Sequence, residues 1–241
     1  MICLAARMCL WVWVLVLLMQ MHAYHCINPG SSWRNGHAFI ALHADSTVSA
    51  FGNAAYGALA PVGLYNVTNI FSTSTAVAAV TRSGDVISWG DAANGGTSPT
   101  TLRNVISISC TSGAFAALKQ DLSVHVWGNA AVGGAAPVLQ GIQAIVANRF
   151  SFAALRVNGT VATWGTLGRG GDGVPAGLTN VVHVYSTEDA FAALKGDGTV
   201  GTCAMCVACM AYVLHVYVCV KCVYVLCCMW CMYCMVRHTL R

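Results

Sequence analysis

The sequence predicts an all-β protein built from tandem repeats of about 38 residues that occupy positions 38–202. Similar strings begin at five positions, namely 38, 76, 114, 151 and 190. The first four strings each close on an aromatic residue, at successive spacings of 38, 38 and 37: Phe51, Trp89, Trp127 and Trp164. A proline follows each of these by ten or eleven residues: Pro61, Pro99, Pro137 and Pro175. Three markers that keep phase over four copies indicate a repeat architecture, in which each unit buries its apolar face against its neighbours.

Each copy has the pattern of three strands joined by tight turns. Residues 104–111 (NVISISCT) alternate apolar and polar side chains, which is typical of a half-buried first strand. Residues 114–119 (AFAALK) form a second strand, whose alanines let neighbouring units approach closely. The third strand ends in Trp-Gly, and we expect its tryptophan to be buried between units. Hairpin turns are expected at three pairs, since Gly and Asn tolerate positive φ: Ser83-Gly84, Asn158-Gly159 and Asp197-Gly198.

A glycine-rich motif follows the third strand. It reads WG-(N/D)-A-A-x-G-G through residues 90–96 and 128–134, with a looser copy at 169–171. With the AL…DG…V…WG…G core, the copies resemble the repeat of the regulator of chromosome condensation family. The unit is shorter than that family's usual blade and closer to the three-stranded blade of the secreted β-lactamase-inhibitory propeller. The resemblance implies a β-propeller whose loops bind a protein partner; no residue of a GTPase-exchange site maps onto this sequence.

The number of copies leaves a propeller ring incomplete. The chain carries four full copies and the start of a fifth, whereas propellers contain four to eight blades and the ring of the resembled family has seven. We therefore expect a partial β-propeller or an open, propeller-like arc of three-stranded repeats. Open strand edges and uncovered apolar faces favour association, so self-association through the repeat edges is also expected.

Charge in the repeat region is nearly balanced. Residues 38–202 hold all eight acidic residues and seven of the twelve basic ones. The remaining positive charges lie outside the repeats: Arg7, Arg34, Lys221, Arg237 and Arg241. A nucleic-acid-binding domain needs a basic stripe on its folded surface. The repeats lack one, so nucleic acid is excluded as the expected partner.

The N-terminal segment has the pattern of an export signal. Residues 1–23 contain one basic residue followed by the twelve-residue apolar run MCLWVWVLVLLM, which favours a signal peptide or a signal anchor, with spurious translation as the alternative. Residues 24–37 are interpreted as a linker. Two N-glycosylation sequons begin at Asn66 and Asn158 and fit secretion. A secreted or membrane-associated protein is expected.

The C-terminal segment, residues 203–241, is an apolar tail with nine of the 13 cysteines. Cys203 stands where the repeat would place its tryptophan. The tail contains CxxC spacings typical of zinc or iron–sulfur sites, but it has almost none of the Gly, Pro, Asp or Asn residues that shape metal-binding turns. Three interpretations stay open: translation of a TG-rich or frame-shifted region, a membrane segment, and metal binding.

No catalytic, cofactor-binding or metal-ligating residue is assigned from the sequence. No Ser/His/Asp or paired-carboxylate arrangement emerges from the spacings, and the short His22-x-x-His25-Cys26 motif does not make a site. The function expected is a non-enzymatic protein-binding module that presents variable loops, such as Asn129–Val138 and Thr166–Ala176. The alternatives are a truncated gene product without independent function and a metal-binding or redox protein that acts through the cysteine-rich tail.

Overall fold

The computed structural model describes residues 35–99 and 102–203, which form an all-β array. Its strands form one two-stranded and four three-stranded antiparallel sheets. Sheet 1 contains β1 (Ala38–Leu42) and β2 (Val48–Gly52), and sheet 2 contains β3 (Val67–Ser72), β4 (Ala76–Thr81) and β5 (Val86–Gly90). Sheet 3 contains β6 (Val105–Cys110), β7 (Ala114–Lys119) and β8 (Val124–Gly128). Sheet 4 contains β9 (Ile142–Ala147), β10 (Ser151–Arg156) and β11 (Val161–Gly165), and sheet 5 contains β12 (Val181–Ser186), β13 (Phe191–Lys195) and β14 (Val200–Cys203).

Each three-stranded sheet is a simple meander with its second strand in the middle. The three strands predicted around residues 104–128 are confirmed as β6, β7 and β8. A sheet and a sequence copy begin at different strands. The copy that begins at residue 38 contains β1, β2 and β3, but β3 pairs with β4, which opens the copy that begins at residue 76. The sequence copies thus overlap consecutive sheets, and sheet 1 has two strands within the described residues.

Alanine-rich middle strands are buried on both faces. Residues 76–80 of β4 and 114–118 of β7 are all buried. Alternate side chains of a strand point to opposite faces, so Val77 and Ala79 pack in the cluster that includes β1 and β2, whereas Ala78 and Val80 pack in the cluster shared with sheet 3. The apolar core therefore lies between successive sheets.

Consecutive sheets follow one another as the blades of a propeller do. Each apolar cluster draws its residues from two neighbouring sheets. The first strands lie next to each other across the interfaces, β3 beside β6, β6 beside β9 and β9 beside β12. The predicted architecture, a partial propeller of tandem three-stranded repeats, is confirmed.

The predicted turns and the irregular fifth copy also appear in the structure. The turn glycines Gly84, Gly159 and Gly198 have φ values of 79°, 75° and 81°, the conformation that favours glycine. Cys203 pairs with Phe191 as Trp127 pairs with Phe115, so it occupies the position of the repeat aromatic.

The terminal segments lie outside the described residues. These are the predicted signal segment, most of the linker, and the tail beyond Cys203. Within the described part of the chain, none of the helices has the length and apolar character needed to cross a membrane.

Candidate binding surface

The sheets have two kinds of end, and the predicted loops begin at one of them. We call loop face the end that carries the connection between the first and second strands and the turn after the third strand. The hairpin face is the opposite end, with the connections between the second and third strands. Both predicted loops begin on the loop face: Asn129–Val138 and Thr166–Ala176. They lead toward the hairpin face, where the first strand of the following sheet begins.

A capped helical turn explains the glycine-rich motif that recurs between the copies. In the three regular copies, one turn of 3₁₀ helix follows the Trp-Gly or Phe-Gly pair: Ala54–Tyr56, Ala92–Asn94 and Ala130–Val132. Asn129 caps the last of these, since its side-chain oxygen accepts a hydrogen bond from the Ala131 N–H at 3.0 Å. Gly133 ends it with a φ of 98°. The first half of the predicted variable loop is therefore a constant element of the frame.

Each tryptophan joins its sheet to the turn of the preceding repeat. The Trp127 indole N–H donates to the Gly95 carbonyl at 3.1 Å, and the ring stacks on Phe115 at 5.1 Å between centroids. A Cβ on Gly95 would lie 2.6 Å from the Phe115 ring, so only glycine fits. Trp89 and Trp164 make the equivalent hydrogen bonds to Gly57 and Gly133. The three tryptophans are 5–6% exposed, which confirms their predicted burial between repeats.

In sheets 2 to 4, a buried polar residue holds the loop between the first and second strands to the neighbouring turn. Thr111 accepts a hydrogen bond from the Ala114 N–H at 3.0 Å and donates to the Val132 carbonyl at 2.9 Å. Asn148 does the same with its amide, accepting from the Ser151 N–H and donating to the Arg169 carbonyl. An Asn or Thr recurs at this sequence position with spacings of 38, 38, 37 and 39, although Asn35 is partly buried and Thr187 is exposed: Asn35, Thr73, Thr111, Asn148 and Thr187. This series was not predicted from the sequence, although an Asn or Thr stands three positions before each alanine-rich string.

Backbone hydrogen bonds connect these loops into a row across four sheets. The Ser74 N–H donates to the Ser112 carbonyl and the Ser112 N–H donates to the Arg149 carbonyl, both at 3.0 Å. The Arg149 N–H donates to the Glu188 carbonyl at 3.3 Å. Main-chain bonds do not depend on side-chain identity, so the row keeps its geometry while its side chains vary.

The two residues after each Asn or Thr of this series differ from copy to copy. They are Gly36-His37, Ser74-Thr75, Ser112-Gly113, Arg149-Phe150 and Glu188-Asp189. The variable side chains of the row are therefore small, most of them with a hydroxyl group, over sheets 2 and 3. Over sheets 4 and 5 they are charged or aromatic. Such variation on a fixed backbone is typical of a recognition surface.

The charged end of the row forms what we call the Arg–Phe cluster: Arg149, Phe150, Arg169, Glu188 and Asp189. The guanidinium of Arg169 lies 4.2 Å from the centre of the Phe150 ring, and that of Arg149 lies 5.2 Å from it. Arg149 pairs with Glu188 at 3.2 Å and Arg169 with Asp189 at 2.9 Å. Exposed ion pairs contribute little to stability, and stacking fixes the direction in which these charges point. The cluster therefore presents an ordered set of charges to solvent.

The loop Thr166–Ala176 departs from the regular turn and supports this cluster. The Thr166 hydroxyl donates to the Ala131 carbonyl of the preceding repeat at 2.6 Å. The Asp172 carboxylate accepts from the Gly168 N–H at 2.7 Å. Arg169 lies in the segment between Gly168 and Asp172 that the second of these contacts closes. Of the two predicted loops, this one contributes a distinctive side chain to the loop face.

The hairpin face carries a different recurring motif, a short turn closed by an Asp or Asn side chain. Asp121 accepts hydrogen bonds from the hydroxyl and N–H of Ser123, which, with the nearby Lys119 ammonium, lower its pKa to about 2. Asn158 makes the same contacts to Thr160 with its amide oxygen. Burial, with a smaller effect of Lys119, lowers the pKa of His125 on the neighbouring strand. Local hydrogen bonds thus account for the lowered pKa of Asp121, and burial accounts for that of His125.

Within residues 35–99 and 102–203, no three His, Cys, Asp or Glu side chains come together as metal ligands would. The CxxC spacings beyond Cys203 and the His22-x-x-His25-Cys26 motif lie outside these ranges.

Comparison with known proteins places the fold. No family model matches the chain, and no curated protein matches it in sequence. Among solved structures, the entire ectodomain of the Physcomitrella patens receptor kinase CR4 is similar, with a TM-score of 0.54 and 19% identity over 77% of this chain and 53% of that one. The described residues have a propeller-like repeat fold. The predicted resemblance to the regulator of chromosome condensation repeat is confirmed at the level of the fold.

Two further structures are less similar. Prp20p from Saccharomyces cerevisiae has a TM-score of 0.49 and 15% identity over 69% of this chain and 56% of that one. Human WBSCR16 has a TM-score of 0.46 and 18% identity over 69% of this chain and 59% of that one. This chain therefore spans between about half and three fifths of each of the three structures.

Proposed function

We propose that the chain is a non-enzymatic protein-binding module that contacts its partner through the loop face. The row of loops supports this proposal, because it combines a backbone fixed by hydrogen bonds with side chains that change from copy to copy. The repeat frame supplies the rigid support that recognition requires.

The Arg–Phe cluster is the expected centre of contact. Arginine and aromatic residues are enriched among the side chains that contribute most to protein interfaces. The cluster joins both types and carries two carboxylates, so a partner surface with charges of both signs would complement it.

A matched pair of charge reversals tests the assignment. Affinity capture with the full chain identifies partners, and binding is then measured for Arg169→Glu on the loop face and Arg82→Glu on the exposed hairpin face. We expect Arg169→Glu to weaken binding about tenfold or more, whereas Arg82→Glu leaves it unchanged. Equal binding by the wild type and both variants would exclude the Arg–Phe cluster as the centre of contact.

We further propose that the module acts outside the cell or at a membrane surface. The N-terminal pattern and the exposed positions of Asn66 and Asn158, both at the hairpin end of the sheets, support this location. Glycans there would leave the loop face clear. In a eukaryotic secretory host, the secreted chain should lose mass on treatment with peptide N-glycosidase, with one glycan lost in each of Asn66→Gln and Asn158→Gln. Retention of an unglycosylated chain inside the cell would contradict this location.

A further inference from the structure

The outer surface of sheet 1 is an inter-repeat interface without a preceding repeat among the described residues. Phe39 and Phe51 pair in register at the positions that Phe115 and Trp127 occupy in sheet 3. In sheet 3 these aromatics are 0% and 6% exposed, because the turn and sheet of the preceding repeat cover them. In sheet 1, Phe39 is 43% and Phe51 is 59% exposed.

The edge strand of sheet 1 also lacks a second pairing partner within residues 35–99 and 102–203. In sheets 2 to 5 the middle strand pairs on both sides, whereas β1, which has the sequence of a middle strand, pairs only with β2 among the described strands. An exposed edge with an adjoining aromatic pair favours addition of another β-sheet unit.

The opposite end of the array presents the complementary surface. Phe71 of sheet 2 is 7% exposed and packs into the cluster shared with sheet 3, and Ser109 of sheet 3 reaches the Ile145 carbonyl of sheet 4 at 2.8 Å. These positions face the following repeat. Tyr185 of sheet 5 holds the equivalent register position, opposite Ala192 as Ser109 is opposite Ala116, and it is 38% exposed.

We infer that a second copy of this chain docks its sheet 5 against sheet 1, head to tail. The occupant is identified by continuity with the interfaces inside the chain: a repeat surface of the same kind covers each equivalent of Phe51 in sheets 2 to 4. The two surfaces differ, so the contact is heterologous and extends to rings or open filaments. This interface uses the ends of the array, and its validity is independent of the proposed binding at the loop face.

Substitutions at the two ends test the inference in the full chain. Sedimentation velocity over a concentration series measures association of the wild type, Phe51→Glu at the head and Tyr185→Glu at the tail. We expect each variant to raise the dissociation constant about tenfold or more, as removal of an aromatic anchor does. Leu167→Glu, at a 75% exposed position on the loop face, is the control and should associate as the wild type does. Phe39→Ser replaces Phe51→Glu as the head variant if circular dichroism shows that the latter is unfolded.

Mixing the two variants distinguishes head-to-tail contact from other modes. Phe51→Glu keeps a functional tail and Tyr185→Glu keeps a functional head, so an equimolar mixture should form a dimer that neither variant forms alone. Each of four results would overturn the inference: a wild type that stays monomeric, association unchanged by either substitution, association weakened in only one of the two variants, or a mixture that forms no dimer. Association through the apolar terminal segments would give the second of these results.

Discussion

Replacing Trp127 by alanine tests whether the aromatic residue of each repeat holds consecutive sheets together. The indole is 6% exposed, stacks on Phe115 and donates a hydrogen bond to the Gly95 carbonyl of the preceding repeat. Truncation of a buried tryptophan typically lowers the free energy of unfolding by about 3–5 kcal/mol. For a chain of this size that corresponds to a decrease of roughly 6–20 °C in the thermal midpoint.

Two further substitutions separate packing from hydrogen bonding. Trp127→Phe keeps an aromatic ring against Phe115 but leaves the Gly95 carbonyl without its donor, which should cost about 1–3 kcal/mol. Phe51→Ala is the matched control, because Phe51 has the same register position and is 59% exposed. At low protein concentration its effect should stay within about 0.5 kcal/mol, as is usual for surface changes.

Urea unfolding of the full chain, followed by circular dichroism, measures these differences. Repeat arrays can unfold in segments, so the midpoints are compared directly and a free energy is extracted only where the transition is two-state. A Trp127→Ala midpoint no lower than that of Phe51→Ala would refute the assignment of the tryptophan as the contact between repeats.

Three other predictions concern the frame. Gly95→Ala should destabilise the chain by about 1–3 kcal/mol through overpacking. Gly63→Ala should destabilise it less in the same urea assay, since a Cβ at Gly63 meets nothing within 4 Å. Equal effects of the two substitutions would contradict the packing argument. Thr111→Val should lower the free energy of unfolding by about 1–3 kcal/mol, because it leaves buried polar groups unpaired. Thr111→Asn should restore much of this stability. Equal stability of the two variants would contradict the role assigned to the hydroxyl. NMR titration should give Asp121 a pKa of about 2, and Ser123→Ala should raise that pKa toward 3.8. The stabilising contribution of the ionised Asp121 is complete above about pH 4 and is lost as the pH falls through about 2.

The candidate surface was predicted only in part. The loops after each Trp-Gly were named, yet the half that begins at Asn129 is a constant capped turn. The chemistry that varies lies partly elsewhere, in pairs such as Arg149-Phe150 at the preceding strand connection. Sequence copies do not reveal which connections share one end of a sheet, because that depends on strand direction and pairing.

The sequence by itself determined the repeat, its three-stranded unit and the burial of its tryptophans. These properties are periodic: side-chain alternation selects strands, glycines with positive φ select turns, and an aromatic at fixed phase must meet the same surroundings in every copy. Only the tertiary structure decided how successive sheets pack and that residues such as Arg169 and Asp189 meet. It also decided that Phe51 is exposed while Trp127 is buried. The physical reason is that burial depends on the neighbouring repeat, which packing across sheets supplies for Trp127 but not for Phe51 within the described residues.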